Sequence, residues 1–180
     1  MNILLDKLDT VVIDGQVIKI INTDYRVCLK YFKLIRDNRF SNDKKYKKLI
    51  EMFFGKEFGG DHELGLRSII KYVTGSDIHS DDEYNNETPE ITFDFDIDAN
   101  LIFASFYQQY NIDLLETSMN WNKFLVLLTN LSEETPFKQM IKLRTMDIPH
   151  ATKDNIAFVS KLIRLKKEVA IEYEQEDDYG

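Results

Sequence analysis

Apolar positions change their period along this chain, and the changes mark out its elements. Val11-Val12-Ile13 and Val17-Ile18-Lys19-Ile20 are β-branched runs on either side of Asp14-Gly15. Both turn residues tolerate positive φ, so the pattern predicts a short N-terminal β-hairpin. Beyond it the period becomes helical. Asn22-Thr23 offers an N-cap with Asp24 in the first turn, and Tyr25, Leu29, Phe32 and Ile35 or Arg36 recur at helical spacing, which predicts a helix over 24–37. Ser41-Asn42-Asp43 caps a second helix, in which Tyr46, Leu49, Ile50, Phe53 and Phe54 form an apolar stripe opposite Lys44, Lys45, Lys47 and Lys48. Gly55 and Gly59-Gly60 end it. A third, shorter helix is predicted over 64–73, stopping at Gly75.

From Gly75 to Glu90 the residues become Asp, Glu, Asn, Ser and Thr, with too few apolar side chains to order the segment by burial. Helical periodicity resumes over 98–110, 118–130, 135–146 and 152–171. Thr135 precedes Pro136, whose missing N–H costs nothing at a first helical position, and Thr152 follows the break at Pro149. In the last helix Ile156, Val159, Leu162 or Ile163 and Ala170 make one face, while Lys161, Arg164, Lys166 and Lys167 mostly line the other. The whole pattern predicts a mainly α protein, a helical bundle in two lobes with a short N-terminal β-hairpin. The expected organisation is a hairpin and helical lobe over 1–74, an acidic flexible linker over 75–92, a C-terminal helical lobe over 93–171 and an acidic disordered tail over 172–180.

At 180 residues the chain is long enough to bury a core without disulfides. Its single cysteine, Cys28, sits in an apolar helical pattern and reads as a small buried hydrophobe. Asp6, Lys7 and Asp9 interrupt the apolar start, so it does not read as a signal peptide, and no apolar run approaches bilayer length. A soluble protein of the cytoplasm, without a membrane partner, is expected. The net charge of -8 is unevenly distributed: 75–98 holds nine acids and 172–180 five more, with no Lys or Arg in either. The remaining 17 acids face all 23 bases, leaving the body at +6. Dispersed bases on helical surfaces favour a solvated exterior over a nucleic-acid site.

Candidate chemistry narrows the picture further. Asp94, Asp96 and Asp98 have the opening spacing of an EF-hand loop, but the sixth position is Ala99 where the turn needs Gly, and the twelfth is Ser105 where a bidentate Glu is needed. An apolar lead-in before alternating aspartates also occurs in magnesium phosphotransferases, yet no Gly-rich phosphate loop accompanies it. At the start of a helix, carboxylates also serve the positive end of its dipole. His62, His79 and His150 are scattered, one Cys cannot complete a usual zinc site, and no Ser lies in a Gly-flanked nucleophile turn. The expectation is a protein that is not an enzyme, with no catalytic residue, metal or cofactor.

Aromatic residues are more numerous between 93 and 124 than one buried face requires. Phe103, Phe106 and Tyr110 share a helical face, whereas Phe95 and Tyr107 fall elsewhere, and Trp121 and Phe124 follow on the next helix. Trp121 reads as a core anchor of the C-terminal lobe. A partly exposed aromatic groove for a protein partner is expected, with Phe103, Phe106, Tyr107, Tyr110 and Phe124 as candidate contacts.

Several of these segments, taken together, resemble the bacteriophage gene-product-fifteen family. Ile21-Asn22-Thr23-Asp24-Tyr25-Arg26 after the Asp14-Gly15 turn is similar to the family's Asn-Thr-Asp-Phe-Arg signature, with Tyr25 for Phe. Tyr107-Gln108-Gln109-Tyr110-Asn111-Ile112-Asp113-Leu114 resembles its Gln-Gln-Tyr-Gly-Ile-Asp-Leu, with Asn111 for Gly, and Asn too tolerates the left-handed conformation of a helix C-terminus. Met119-Asn120-Trp121-Asn122-Lys123-Phe124 resembles a His-Trp-Trp-Lys-Phe motif with Asn122 in place of the second Trp. Leu131-Ser132-Glu133-Glu134-Thr135 through Ile141 and Arg144 completes the likeness. The family's position near the tape-measure gene implies a tail-assembly chaperone of long-tailed phages, acting in the host bacterial cytoplasm on the tape-measure protein. A companion tail chaperone, the tail-tube protein or a second copy are further partners. The resemblance also fits a structural tail or head-tail component of the virion and, more distantly, a nucleic-acid-binding regulator.

Overall fold

A computed structural model describes residues 9–75 and 92–171. The predicted linker and tail fall outside these residues, apart from Gly75 and Thr92. Two strands and seven helices are present among the described residues: β1 (Thr10–Ile13), β2 (Gln16–Lys19), α1 (Tyr25–Arg36), α2 (Asn42–Phe54), α3 (His62–Thr74), α4 (Ala99–Tyr110), α5 (Trp121–Thr129), α6 (Pro136–Thr145) and α7 (Ile156–Val169). The protein is mainly α with a small hairpin, as its periodicity predicts. β1 and β2 pair antiparallel with Val11 opposite Ile18 and Val12 opposite Val17. Asp14 and Gly15 both take positive φ in the turn, as the hairpin requires.

These residues group into two compact units, 9–75 with 115–130 and 92–114 with 131–171. The expected continuous lobe over 93–171 is therefore interrupted: α5 belongs with the hairpin and α1–α3. Backbone pairing and aromatic packing explain why. Asp24 and Asn120 form an antiparallel bridge, with the Trp121 N–H donating to the Thr23 carbonyl (2.8 Å) and the Tyr25 N–H to the Met119 carbonyl (3.0 Å). Phe124 stacks between Tyr25 (4.7 Å between centroids) and Trp121 (5.6 Å), and the Trp121 indole N–H donates to the Val73 carbonyl at 3.1 Å. Trp121 thus anchors the N-terminal unit, not a C-terminal lobe.

Helix starts differ from the expected ones where a stronger partner claims the predicted cap. Asn22 is engaged through its N–H with the Phe53 carbonyl, and the Thr23 carbonyl with Trp121, so Asp24 caps α1 by accepting from the Arg26 N–H at 2.9 Å. The buried face of α1 is Tyr25, Cys28, Tyr31 and Leu34, one position away from the expected stripe, and Ile35 is exposed. Lys45 leaves the basic face of α2 altogether: it is buried, and its Nζ donates to the Ile35 carbonyl (2.7 Å) in the last turn of α1, where helix carbonyls lack partners. Tyr46, expected in the α2 stripe, is exposed instead. α5 begins at Trp121, capped by Asn120, not at Ser118. α7 begins at Ile156 because Thr152 is held in a turn, its N–H bonded to Asn155 Oδ1 at 2.6 Å.

In the second unit α4, α6 and α7 enclose Ile102, Phe106, Leu114, Leu131, Phe137, Val159 and Leu162. α4 ends at Asn111, whose φ of 53° is the left-handed cap anticipated for it. Pro136 occupies the first position of α6, and the next N–H, that of Phe137, is satisfied by the fully buried Ser105 Oγ of α4 at 3.0 Å.

Candidate protein-interaction surfaces

Two of the three aspartates before α4, Asp94 and Asp98, have structural duties. Asp94 Oδ1 accepts from the N–H groups of Asp96 (2.7 Å) and Ile97 (3.0 Å), closing the turn that leads into the helix. Asp98 Oδ2 accepts from the Asp94 N–H at 3.0 Å, and both Asp98 oxygens receive Arg144: Nη1 to Oδ2 at 2.7 Å and Nη2 to Oδ1 at 2.9 Å. Both side chains of this pair are buried. Arg144 also donates from Nη1 to the Thr92 carbonyl (3.2 Å) and from Nε to the Val169 carbonyl (2.7 Å), so one guanidinium ties the α4 lead-in to the end of α7. Asp96 alone of the three is exposed. Among the described residues no group of three His, Cys, Asp or Glu side chains is placed to hold a metal ion. Cys28 is fully buried, and burial pushes its thiol well above the ordinary range, away from the reactive thiolate.

The five candidate contacts divide between the units and between core and surface. Phe106 and Phe124 are completely covered, one in each unit, so neither presents a surface to a partner. Phe103 is half-buried and stacks on Tyr107, which is 54% exposed, with centroids 6.3 Å apart. Tyr110 is half-buried with its ring edge-on to Phe106 at 5.7 Å. What remains accessible of the expected groove is the Tyr107 ring, with Phe103 and Tyr110 half-buried.

Other apolar surface lies where the motifs do not point. On α7, Val159 and Leu162 are buried, but Ile156 (59% exposed), Phe158 (60%) and Ile163 (48%) stand beside that stripe. At 100° per residue Ile156 and Ile163 flank one side of it and Phe158 the other, a surplus of apolar residues that the periodicity itself contains. In the N-terminal unit a concavity of about 630 Å³ between α2 and α3 has Tyr46, Ile50 and Leu66 on its walls and Asp43, Lys47, His62 and Glu63 around them. A mixed apolar and charged lining of this kind suits an amphipathic helix.

The motif segments themselves turn out to be joints. Residues 22–26 and 119–124 hold each other through the Asp24–Asn120 bridge, Ser118 Oγ donates to Asp24 Oδ2 at 2.5 Å, and Arg26 Nη2 donates to the carbonyls of Leu115 and Thr117, both at 3.0 Å. No helix among the described residues is long and apolar enough to cross a membrane. A family model described as Bacteriophage Gp15 protein matches residues 4–171. No curated protein and no solved structure matches the chain.

Proposed function

The chain belongs to the bacteriophage Gp15 protein family, and from that premise we propose that it is a non-enzymatic tail-assembly chaperone that binds the tape-measure protein in the host cytoplasm. Membership makes it a protein of phage structure or assembly. The finer reading draws its support from a family match spanning nearly the whole chain together with apolar side chains left exposed on helices: Tyr107, Ile156, Phe158 and Ile163. A long tape-measure helix that exposes apolar stripes aggregates unless those stripes are covered, and helical grooves cover them through contacts at i, i+3, i+4 and i+7. Net charge of -8 keeps such complexes soluble. An assembly factor leaves before the virion is complete, whereas a tail or head-tail component stays. Mass spectrometry of purified virions therefore tests the reading: the chaperone is absent from mature particles, and stoichiometric recovery of the chain would make it a structural component instead.

A further inference from the structure

From Lys30 to Lys48 the chain carries eight Lys or Arg against two Asp, and four of the eight line one concavity of about 310 Å³. Lys30 and Lys33 lie one turn apart on α1, Arg39 follows in the turn and Lys48 stands on α2. Leu34, Phe40 and Met52 give the concavity its apolar lining. Arg39 is already engaged: its Nε and Nη2 reach the two oxygens of Asp37 at 2.8 and 2.6 Å. The three lysines are exposed and meet no carboxylate among the described residues, and Lys48 Nζ lies 5.3 Å from the Phe40 ring centroid. Lys45 and Lys47 do not extend the patch, since Lys45 is buried on the Ile35 carbonyl and Lys47 lines the concavity between α2 and α3.

A ligand complementary to this surface is short, anionic and carries an apolar side chain. Three ammonium groups match carboxylates, and an apolar side chain set among those carboxylates meets Leu34, Phe40 and Met52. Nucleic acid fits less well. The guanidinium, the group that takes phosphate bidentately, is closed by Asp37, three lysines fall short of the roughly six to ten phosphate contacts behind strong backbone binding, and a chain of net charge -8 repels a long polyanion. We propose that the concavity between α1 and α2 binds an acidic segment of a partner protein, with carboxylates on Lys30, Lys33 and Lys48 around one apolar anchor. The site does not depend on the tape-measure reading: the exposed apolar residues of α4 and α7 offered to that protein belong to the other unit.

Isothermal titration calorimetry of the full chain with the blocked peptide acetyl-Gly-Glu-Asp-Phe-Asp-Glu-Gly-amide tests this, with amide NMR shifts locating the contact. Binding is expected, with the largest shifts between residues 30 and 52. It should weaken about tenfold in Lys30→Gln/Lys33→Gln/Lys48→Gln, three surface changes that leave the urea midpoint in place. Lys44→Gln/Lys47→Gln/Lys123→Gln removes as many exposed charges outside the concavity and should change affinity less than about twofold. Replacing the peptide's Phe by Ser should cost about fivefold, because the apolar lining then has nothing to cover it. No binding at about 1 mM peptide, equal losses in the two lysine variants, indifference to the peptide's Phe, or displacement of the peptide by a single-stranded oligonucleotide of equal charge would each overturn the proposal.

Discussion

Two residues carry much of what single side chains do here. Arg144 makes four donor contacts, to Asp98, Thr92 and Val169, inside a site where both charges are buried. Arg144→Met leaves the Asp98 carboxylate buried and unpaired, so the second unit should lose about 3–5 kcal/mol in urea unfolding, and Asp98→Leu in the same chain should recover part of it. A loss below about 1 kcal/mol would show that the pair is not structural. Cys28 acts through pH. Burial, with Asp24 adding to it, raises the thiol's pKa in the folded state, so the unfolded chain ionises first as pH rises. Stability from this group is complete below roughly pH 8.5 and declines above it. Urea titrations at pH 7 and pH 9.5 should show that decline, and Cys28→Ala should make it shallower; an identical slope in both proteins would exclude the thiol as its source.

Elements show most clearly how much was legible in the sequence. All seven helices and the hairpin follow from period and punctuation, and Asn111, Pro136 and Gly75 end or begin helices as their backbone preferences dictate. Starts and faces are less legible because local preference competes with distant partners. Asn22-Thr23 is a sound cap by itself, but Phe53 and Trp121 take its backbone groups; α1 has two apolar stripes at helical spacing, and packing alone selects the one through Cys28. The allegiance of α5 was not readable at all, since nothing local says that residues 119–121 pair with 23–25. Trp121→Ala should cost about 3–5 kcal/mol. Hydrogen exchange locates the damage: amides of α1 and α3 should lose protection while those of α4 and α6 keep it, and the reverse pattern would contradict the assignment of α5. Ser105→Ala should cost about 1–3 kcal/mol by leaving the Phe137 N–H without its partner, seen as a lower urea midpoint.

At the scale of the whole molecule the chain passes between its two compact units three times, which is why an aromatic cluster contiguous in sequence is divided between two cores. Of the five residues marked as contacts, spacing could say which shared a helical face but not which face another helix would cover. Phe106 and Phe124 went to separate cores, and Tyr107 stayed outside. Phe158 lies off the main stripe of α7, so periodicity does not single it out, although it is as exposed as Tyr107. The central claim is that this surface keeps a tape-measure protein soluble. Co-expression of that protein with the chain, scored as soluble co-purifying complex in the presence of any companion chaperone, measures it most directly. The account predicts a soluble complex with the parent chain and its loss with Tyr107→Asp/Phe158→Asp, a variant whose changes lie on the surface and leave helix content intact. A tape-measure protein that remains insoluble, with none co-purifying, would contradict the account.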